Sequence, residues 1–132
     1  MTEPQRPVEY IRRVLVVEDD YQLAELLSEV LTYENCTADV AANGMEAMDL
    51  LRGADYEAVI CDLMMPRVDG EALYREAVRQ YPYLAEKFLF ITGNPARRAG
   101  LTEFIAPTGN AVLEKPFEME QLRAALKEVF AR

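Results

Sequence analysis

The sequence predicts an α/β fold in which five parallel strands form one sheet with helices on both faces. Three observations lead to this prediction. Short, continuously apolar runs such as Val14–Val17 are typical of strands buried on both faces of a parallel sheet. Segments with helical periodicity follow these runs. Strand and helix alternate along all 132 residues without an internal repeat, which favours a doubly wound, three-layer sandwich with right-handed crossovers.

The first part of the chain contains two strands and two helices. Arg13–Val17 is predicted as the first strand, and Cys36–Ala42, which is more polar, as a strand near an edge. Asp20 is the expected N-cap of the first helix, and Gly53 ends the second, Met45–Arg52. Asn43 with Glu46 resembles a capping box at the start of the second helix. The expected inward residues are Leu23, Leu26, Leu27, Val30 and Leu31 in the first helix, and Ala47, Leu50, Leu51 and Ala54 in the second.

The second part contains three more strands. Ala58–Cys61 is predicted as a buried strand that ends in Asp62. A loop then leads to Asp69, the expected N-cap of a third helix. This helix runs through Gln80, and Pro82 ends it. A fourth strand is predicted at Lys87–Ile91 and a fifth at Ala111–Leu113. Between them, a short helix is predicted over residues 96–106, with Leu101, Phe104 and Ile105 inward. The last predicted helix carries apolar residues at helical spacing: Met119, Leu122, Leu126, Val129 and Phe130.

Composition excludes several classes of function. A net charge of −9 argues against binding to a phosphate backbone as the main role. The chain has no histidine, which removes histidine-based catalysis and histidine metal ligands. Cys36 and Cys61 make neither a zinc site nor a redox motif and are expected to be buried, reduced thiols. No apolar stretch is long enough to span a membrane and the N-terminus does not resemble a signal peptide, so the chain is expected to be cytoplasmic, without membrane insertion.

Polar side chains follow four of the predicted strands where these end. Because the carboxyl ends of parallel strands meet at one edge, we expect these residues to converge there. Converging carboxylates need a cation, and ligands that are all oxygens favour Mg²⁺ or Mn²⁺. Asp62 is suited to act as a nucleophile that forms an aspartyl phosphate, with Thr92 and Lys115 neutralising the oxygens of the transferred group. The converging residues are Glu18, Asp19 and Asp20, Asp62, Thr92, and Lys115.

These motifs resemble the receiver (CheY-like) domain of two-component response regulators over about residues 12–131. The motifs are Val16-Val17-Glu18-Asp19-Asp20, Asp62-Leu63-Met64-Met65-Pro66 with Asp69-Gly70, Ile91-Thr92-Gly93, and Lys115-Pro116-Phe117. The resemblance implies a flavodoxin/CheY-like sheet with strand order 2-1-3-4-5 and five helices. It divides the chain into a tail or linker at 1–11 and a receiver domain at 12–132.

The resemblance also implies a role for each site residue. Asp62 is the phosphoacceptor, and Mg²⁺ is bound by Asp19 directly, by Glu18 through water, by Asp62, and by the backbone carbonyl of Met64. Thr92 is the switch hydroxyl and Lys115 pairs with the phosphoryl group, with a cis bond before Pro116. The donor is a phosphohistidine on a histidine kinase or phosphotransfer domain, which fits a chain without histidine. An unidentified downstream protein reads the change, and no direct contact with nucleic acid is expected.

The sequence departs from the family pattern at three places. Val112 occupies the position, three residues before the lysine, where many receivers carry an aromatic switch residue. Met64 offers no hydrogen bond to water from its side chain, so a slow loss of the phosphoryl group is expected. The segment Asn94–Asn110 fits a regular helix poorly, and the usual output face is expected to be altered.

Two other functions share part of this pattern. One is a Mg²⁺-dependent phosphatase with an aspartyl nucleophile, similar to haloacid-dehalogenase-like hydrolases; their D-x-D motif follows the first strand, whereas here that position reads Glu18-Asp19-Asp20. The other is a receiver-like interaction module that is never phosphorylated. We expect a phosphoacceptor and not an enzyme, either standing alone or cut from a longer protein such as a hybrid histidine kinase.

Overall fold

The computed structural model describes residues 10–93 and 103–132. These residues form five strands and four α-helices, with two short 3-10 helices at Pro82–Glu86 and Ala106–Thr108. The strands are β1 (Arg12–Val17), β2 (Cys36–Ala41), β3 (Ala58–Asp62), β4 (Phe88–Thr92) and β5 (Ala111–Glu114). The helices are α1 (Tyr21–Tyr33), α2 (Gly44–Gly53), α3 (Gly70–Gln80) and α4 (Met119–Phe130).

All five strands are parallel and lie in the order β2-β1-β3-β4-β5. This confirms the predicted architecture, with the more polar β2 at one edge of the sheet. The order in which strands are added reverses at β1, because β2 lies on one side of β1 and β3 lies on the opposite side. In open α/β sheets, a crevice for ligands forms outside the carboxyl ends of the strands at such a point.

The helix content differs from the prediction in one place. Five helices were expected, and the described residues contain four α-helices. Most of the helix predicted at 96–106, including Leu101, lies outside the described residues. The part that is described is not α-helical: residues 103–105 form a turn and a 3-10 helix follows at Ala106–Thr108. Pro107 lies in that 3-10 helix and Gly109, at φ 75°, ends it, so neither residue favours a longer helix.

The sheet has an apolar core on each face. Alternate strand residues point to opposite faces, so Val14 and Val16 pack toward α1 and α4 while Leu15 and Val17 pack toward α2 and α3. Leu27 and Leu122 complete the first core. Both cores lie under the helices, which agrees with central strands that are apolar on both faces.

The predicted helix caps are present. Asp20 accepts hydrogen bonds from the N–H groups of residues 22 and 23, Asn43 from that of Glu46, and Asp69 from that of Ala72. The Glu46 side chain accepts from the N–H of residue 42 instead of that of Asn43, so the reciprocal bond of the capping box is displaced by one residue. These caps begin the helices directly after the strand ends and the loop that carry the site residues.

One residue of α1 was assigned to the wrong environment. Leu26 was expected to face the core, but it is 42% exposed, whereas Ala24 is buried in its place. The buried face of α1 is therefore centred on Ala24, Leu27 and Leu31. Leu26 lies beside this face and lines a surface groove next to the candidate site.

A buried polar network connects the start of β4 to the start of β5. Asn110 Oδ1 accepts a hydrogen bond from the N–H of Phe88 at 3.1 Å. Its Nδ2 donates to the carbonyl of Ala85 at 2.8 Å, to Thr108 Oγ1 at 3.0 Å and to the hydroxyl of Tyr74 at 3.3 Å. One buried amide therefore holds the edge strand β5 against both the sheet and α3.

Two expectations from composition concern the cysteines and membranes. Cys36 and Cys61 are free and buried in the described part of the chain, as predicted. Among residues 10–93 and 103–132, no helix is both long and apolar enough to cross a membrane.

Replacing Gly70 with alanine should destabilise the fold. Gly70 begins α3, and a Cβ there would overlap Cδ2 of the buried Leu63, closer than atoms can pack. Overpacking of this kind usually costs about 1–3 kcal/mol. Gly44→Ala is the matched control, because Gly44 begins α2 and a Cβ there would meet no described atom within 4 Å. Urea unfolding of both variants measures the difference, and equal stabilities would contradict the close packing.

Candidate functional site

The sheet register brings the predicted site residues to one edge. Val17 is paired with Cys61 in the sheet, so Glu18 lies beside Asp62. Asp62 is paired with Ile91, which precedes Thr92. The N–H of Lys115 donates to the carbonyl of Thr92 at 2.8 Å, which extends the pairing of β4 with β5 by one residue. The four strand ends therefore converge as the sequence predicted.

Asp62 is held by two donors at the centre of this edge. It is 2% exposed. Lys115 Nζ donates to its Oδ2 at 2.8 Å, and the N–H of Met64 donates to its Oδ1 at 2.7 Å. Burial alone raises the pKa of Asp62, but the neighbouring Glu18 and the hydrogen bonds from Lys115 and the N–H of Met64 outweigh it and lower the pKa below its usual value. Asp62 is therefore an ionised carboxylate with a fixed orientation.

Glu18 behaves in the opposite way. It is almost fully buried, and its Oε2 accepts from the N–H of Asp20 at 3.1 Å. Burial, and then the neighbouring Asp62, raise its pKa to about 8 against the lowering effect of Asp20 and Lys115. Two carboxyl groups this close cannot both remain ionised without a compensating charge. At neutral pH the raised pKa therefore favours the protonated form of Glu18.

Two buried oxygens at this edge lack a hydrogen-bond partner among the described residues. They are Glu18 Oε1 and Thr92 Oγ1. An unsatisfied buried polar atom normally costs about 1–3 kcal/mol, so each indicates a position where an additional group could bind. A cation would satisfy the glutamate oxygen, and an anionic acceptor would satisfy the threonine hydroxyl.

Asp19 follows Glu18 directly after the end of β1. Its side chain is exposed, and Asp20 caps α1. Across residues 10–93 and 103–132, no group of three acidic or thiol side chains is arranged as a metal site. The donor set still fits Mg²⁺ in kind, since it consists of oxygens and includes the unsatisfied Glu18 Oε1.

Met64 covers the space beside Thr92. A Cβ at Gly93 would lie 3.0 Å from Met64 Cε and 3.1 Å from its Sδ, so the thioether lies directly against the backbone of residue 93. Sequence reasoning identified Met64 but missed that Gly93 accommodates it. A glycine directly after the threonine was the available signal, because glycine allows close approach of other atoms to the backbone.

An apolar groove of about 620 Å³ adjoins Lys115 between α1 and α4. It is lined by Leu23 and Leu26 on one side and by Phe117 and Met119 on the other, with Asp20 and Lys115 nearest the site. This groove explains the exposure of Leu26. The Lys115–Pro116 bond beside it is cis, as the resemblance implied.

A model of the response regulator receiver domain matches residues 14–127. The chain belongs to this family. It is a receiver domain of two-component systems, and the family is in general not one of catalytic enzymes. The match covers both cores and the site edge described above.

Relatives of this receiver domain occur in different kinds of protein. It is 34% identical over 123 residues to the transcriptional regulatory protein TcrA of Mycobacterium tuberculosis, covering 91% of this chain and 46% of the relative. It is 31% identical over 121 residues to the sensor kinase CckA of Brucella abortus, covering 90% of this chain and 12% of the relative. The receiver domain thus spans about half or less of the length of these curated relatives.

A solved structure supports the same fold. The CheY-like receiver domain from Methylobacillus flagellatus superposes with a TM-score of 0.77 at 27% identity, covering 91% of this chain and 99% of that one. The receiver fold therefore extends over nearly the whole chain.

Proposed function

We propose that Asp62 accepts a phosphoryl group from a phosphohistidine of a partner protein and that a second partner reads the resulting change. The observation that carries the proposal is the state of Asp62: an ionised, buried carboxylate held by Lys115 and by the N–H of Met64. No base is needed because the nucleophile carries no proton. The chain has no histidine of its own, which fits a phosphohistidine donor on a separate histidine kinase or phosphotransfer domain.

The transfer exchanges one bond to phosphorus for another. An oxygen of Asp62 attacks the phosphorus atom, the bond from phosphorus to the donor imidazole nitrogen breaks, and an acyl phosphate forms. The free imidazole takes up a proton from solvent. Lys115, now in contact with Asp62 Oδ2, is within reach of an oxygen of the transferred group, where its charge stabilises the transition state.

A divalent cation, Mg²⁺ or Mn²⁺, would be held by Asp19, Asp62 and the backbone carbonyl of Met64, with Glu18 acting through water. When bound, it supplies positive charge to the phosphoryl oxygens. Glu18 must release its proton to act on the cation, so we propose that binding of the cation is accompanied by proton release.

Thr92 is proposed as the switch. Its buried hydroxyl has no hydrogen-bond partner among the described residues and is free to donate to a phosphoryl oxygen. Because the carbonyl of Thr92 accepts from the N–H of Lys115, movement at Thr92 is transmitted to β5. Val112 on β5 is half-exposed and aliphatic, so no aromatic ring reports this movement. The change is a shift between two conformations that a partner distinguishes.

Incubation with Mg²⁺ and acetyl phosphate tests the proposal. Intact mass should show one added phosphoryl group on the wild type and none on Asp62→Asn. Beryllofluoride should bind only when Mg²⁺ is present. No adduct on the wild type, or an equal adduct on Asp62→Asn, would reject the proposal and favour a receiver-like module that is never phosphorylated. Catalytic turnover of the phosphodonor, without a stable adduct, would favour the phosphatase.

Replacing Met64 with asparagine or glutamate should shorten the life of the phosphoryl group. A polar side chain at this position can hold the attacking water, and one hydrogen bond corresponds to a rate increase of about twofold to tenfold. Decay of the phosphorylated protein after removal of the phosphodonor measures the effect. Met64→Leu is the control and should decay like the wild type. Asparagine or glutamate variants that decay no faster would contradict the prediction.

A further inference from the structure

Met64 combines access to solvent with contact to the phosphorylation site. Its side chain is partly exposed, and its Sδ lies 3.1 Å from the position that a Cβ on Gly93 would occupy. Its N–H donates to Asp62 Oδ1. The thioether therefore lies against the residue next to Thr92, while the backbone of the same residue holds Asp62.

The other methionines provide internal comparisons. Met65, the next residue, is 3% exposed and lies in the core between the sheet and α3. Met45 is 78% exposed on α2 and lines a different groove, with Arg67 and Glu76. Met48 and Met119 are partly exposed, as Met64 is. A soluble oxidant is thus expected to reach these two residues as well as Met45 and Met64, but not Met65, so Met64→Leu is the variant that separates Met64 from the others.

We infer that Met64 is an oxidative modification site whose state sets the lifetime of the phosphoryl group. The co-reactant is a hydroperoxide. A lone pair of Sδ attacks the terminal peroxide oxygen, the O–O bond breaks, and an S–O bond forms. Sulfur is oxidised by two electrons, the peroxide is reduced by two electrons, and water or an alcohol leaves. The inference rests on the proposed function, since it concerns the stability of the acyl phosphate on Asp62.

Oxidation changes both the polarity and the packing of this side chain. A thioether scarcely accepts hydrogen bonds, whereas a sulfoxide is a polar acceptor. The close contact with Gly93 leaves no space for an added oxygen on that side, so the sulfoxide must point away from Gly93, toward solvent and the site. There it can hold a water molecule beside the acyl phosphate. We expect the phosphoryl group to be lost about twofold to tenfold faster, the range that one hydrogen bond provides.

Peptide mass spectrometry after limited treatment with hydrogen peroxide locates the modification. In the folded protein, sulfoxide should be found at Met64 and Met45, with Met65 unmodified. Both the treated and the untreated protein are then phosphorylated with acetyl phosphate and Mg²⁺, and the decay of the adduct is followed. The wild type and Met45→Leu should both decay faster after treatment, whereas the decay of Met64→Leu should not change. Met64→Gln, which places a permanent acceptor at this position, should decay faster without treatment.

Several outcomes would overturn the inference. One is an unmodified Met64 in samples where Met45 is fully oxidised. Another is a protein with oxidised Met64 that forms the normal adduct and loses its phosphoryl group at an unchanged rate. A third is a treated Met64→Leu variant whose loss of the phosphoryl group is accelerated as much as that of the treated wild type. If the untreated protein takes up no phosphoryl group, the proposed function is rejected. The predicted effect of oxidation on the lifetime of the phosphoryl group is then rejected as well. The two failures are therefore distinguished by the untreated sample.

Discussion

Glu18→Gln should stabilise the protein in the absence of divalent cations, and the effect should grow with pH. Unfolded, a glutamate releases its proton near pH 4.5, but folded Glu18 keeps it until about pH 8. The folded state therefore binds more protons than the unfolded state in this window, so the stability of the wild type falls as the pH rises through it. Below the window Glu18 contributes nothing, and above it the full penalty is present.

The size of the change in stability follows from the difference between these two pKa values. A tenfold difference in proton affinity between the folded and unfolded states corresponds to about 1.4 kcal/mol, which sets an upper limit of about 5 kcal/mol above pH 8. Because water and local movement relieve part of this penalty, we expect glutamine to raise the free energy of unfolding by about 2–4 kcal/mol at pH 8.5 and by much less at pH 5. Glutamine removes the penalty because its amide carries no charge at any pH. Asp62 does not alter this window, since its pKa is lowered and its contribution is lost only in more acidic solution.

Urea unfolding in the presence of EDTA, at pH 5 and pH 8.5, measures this prediction. Glu25→Gln is the matched control, because it makes the same substitution at an exposed glutamate of α1. Parallel pH profiles for the wild type and Glu18→Gln would contradict the raised pKa of Glu18.

Asn110→Ala should strongly destabilise the protein although Asn110 lies outside the apolar core. It leaves the N–H of Phe88 buried without an acceptor and removes the hydrogen bonds to Ala85, Thr108 and Tyr74. An unsatisfied buried donor costs about 1–3 kcal/mol, and each hydrogen bond that is lost about 1 kcal/mol more. We expect a loss of about 4–6 kcal/mol and a decrease in Tm of about 15–20 °C, measured by calorimetry.

Tyr74→Phe is the matched control for this network. It removes the hydroxyl that donates to the carbonyl of Ala85, but that carbonyl still accepts from Asn110 and the ring still packs on Phe88. The expected loss is about 1 kcal/mol. If both variants were destabilised equally, the amide of Asn110 would not be the group that secures β5.

The positions of Asp62, Thr92 and Lys115 could be predicted from sequence because each follows an apolar strand. Once these strands are parallel neighbours in one sheet, their carboxyl ends lie at the same edge. The convergence of these residues therefore follows without knowledge of the exact register. The helix caps Asp20, Asn43 and Asp69 were predictable for a similar reason, since capping depends on neighbours within four residues.

Other features could not be predicted because they depend on contacts between residues far apart in the chain. Leu26 fits the helical period of α1 but lies at the margin of the buried face, and only the position of α4 shows that it lines a groove. Asn110 resembles an ordinary loop residue until α3 and the start of β4 are placed around it. The close approach of Met64 to Gly93 likewise joins two loops that follow different strands.

Fold class, family and the identity of the converging residues follow from the sequence alone, because they depend on periodicity and on short motifs at strand ends. The electrostatic state of those residues depends on the folded chain. Asp62 is ionised and Glu18 protonated because burial acts on both, while Lys115 and the N–H of Met64 contact Asp62 alone. A sequence contains the types of charged groups, but the pKa of each depends on distances and burial that exist only after folding.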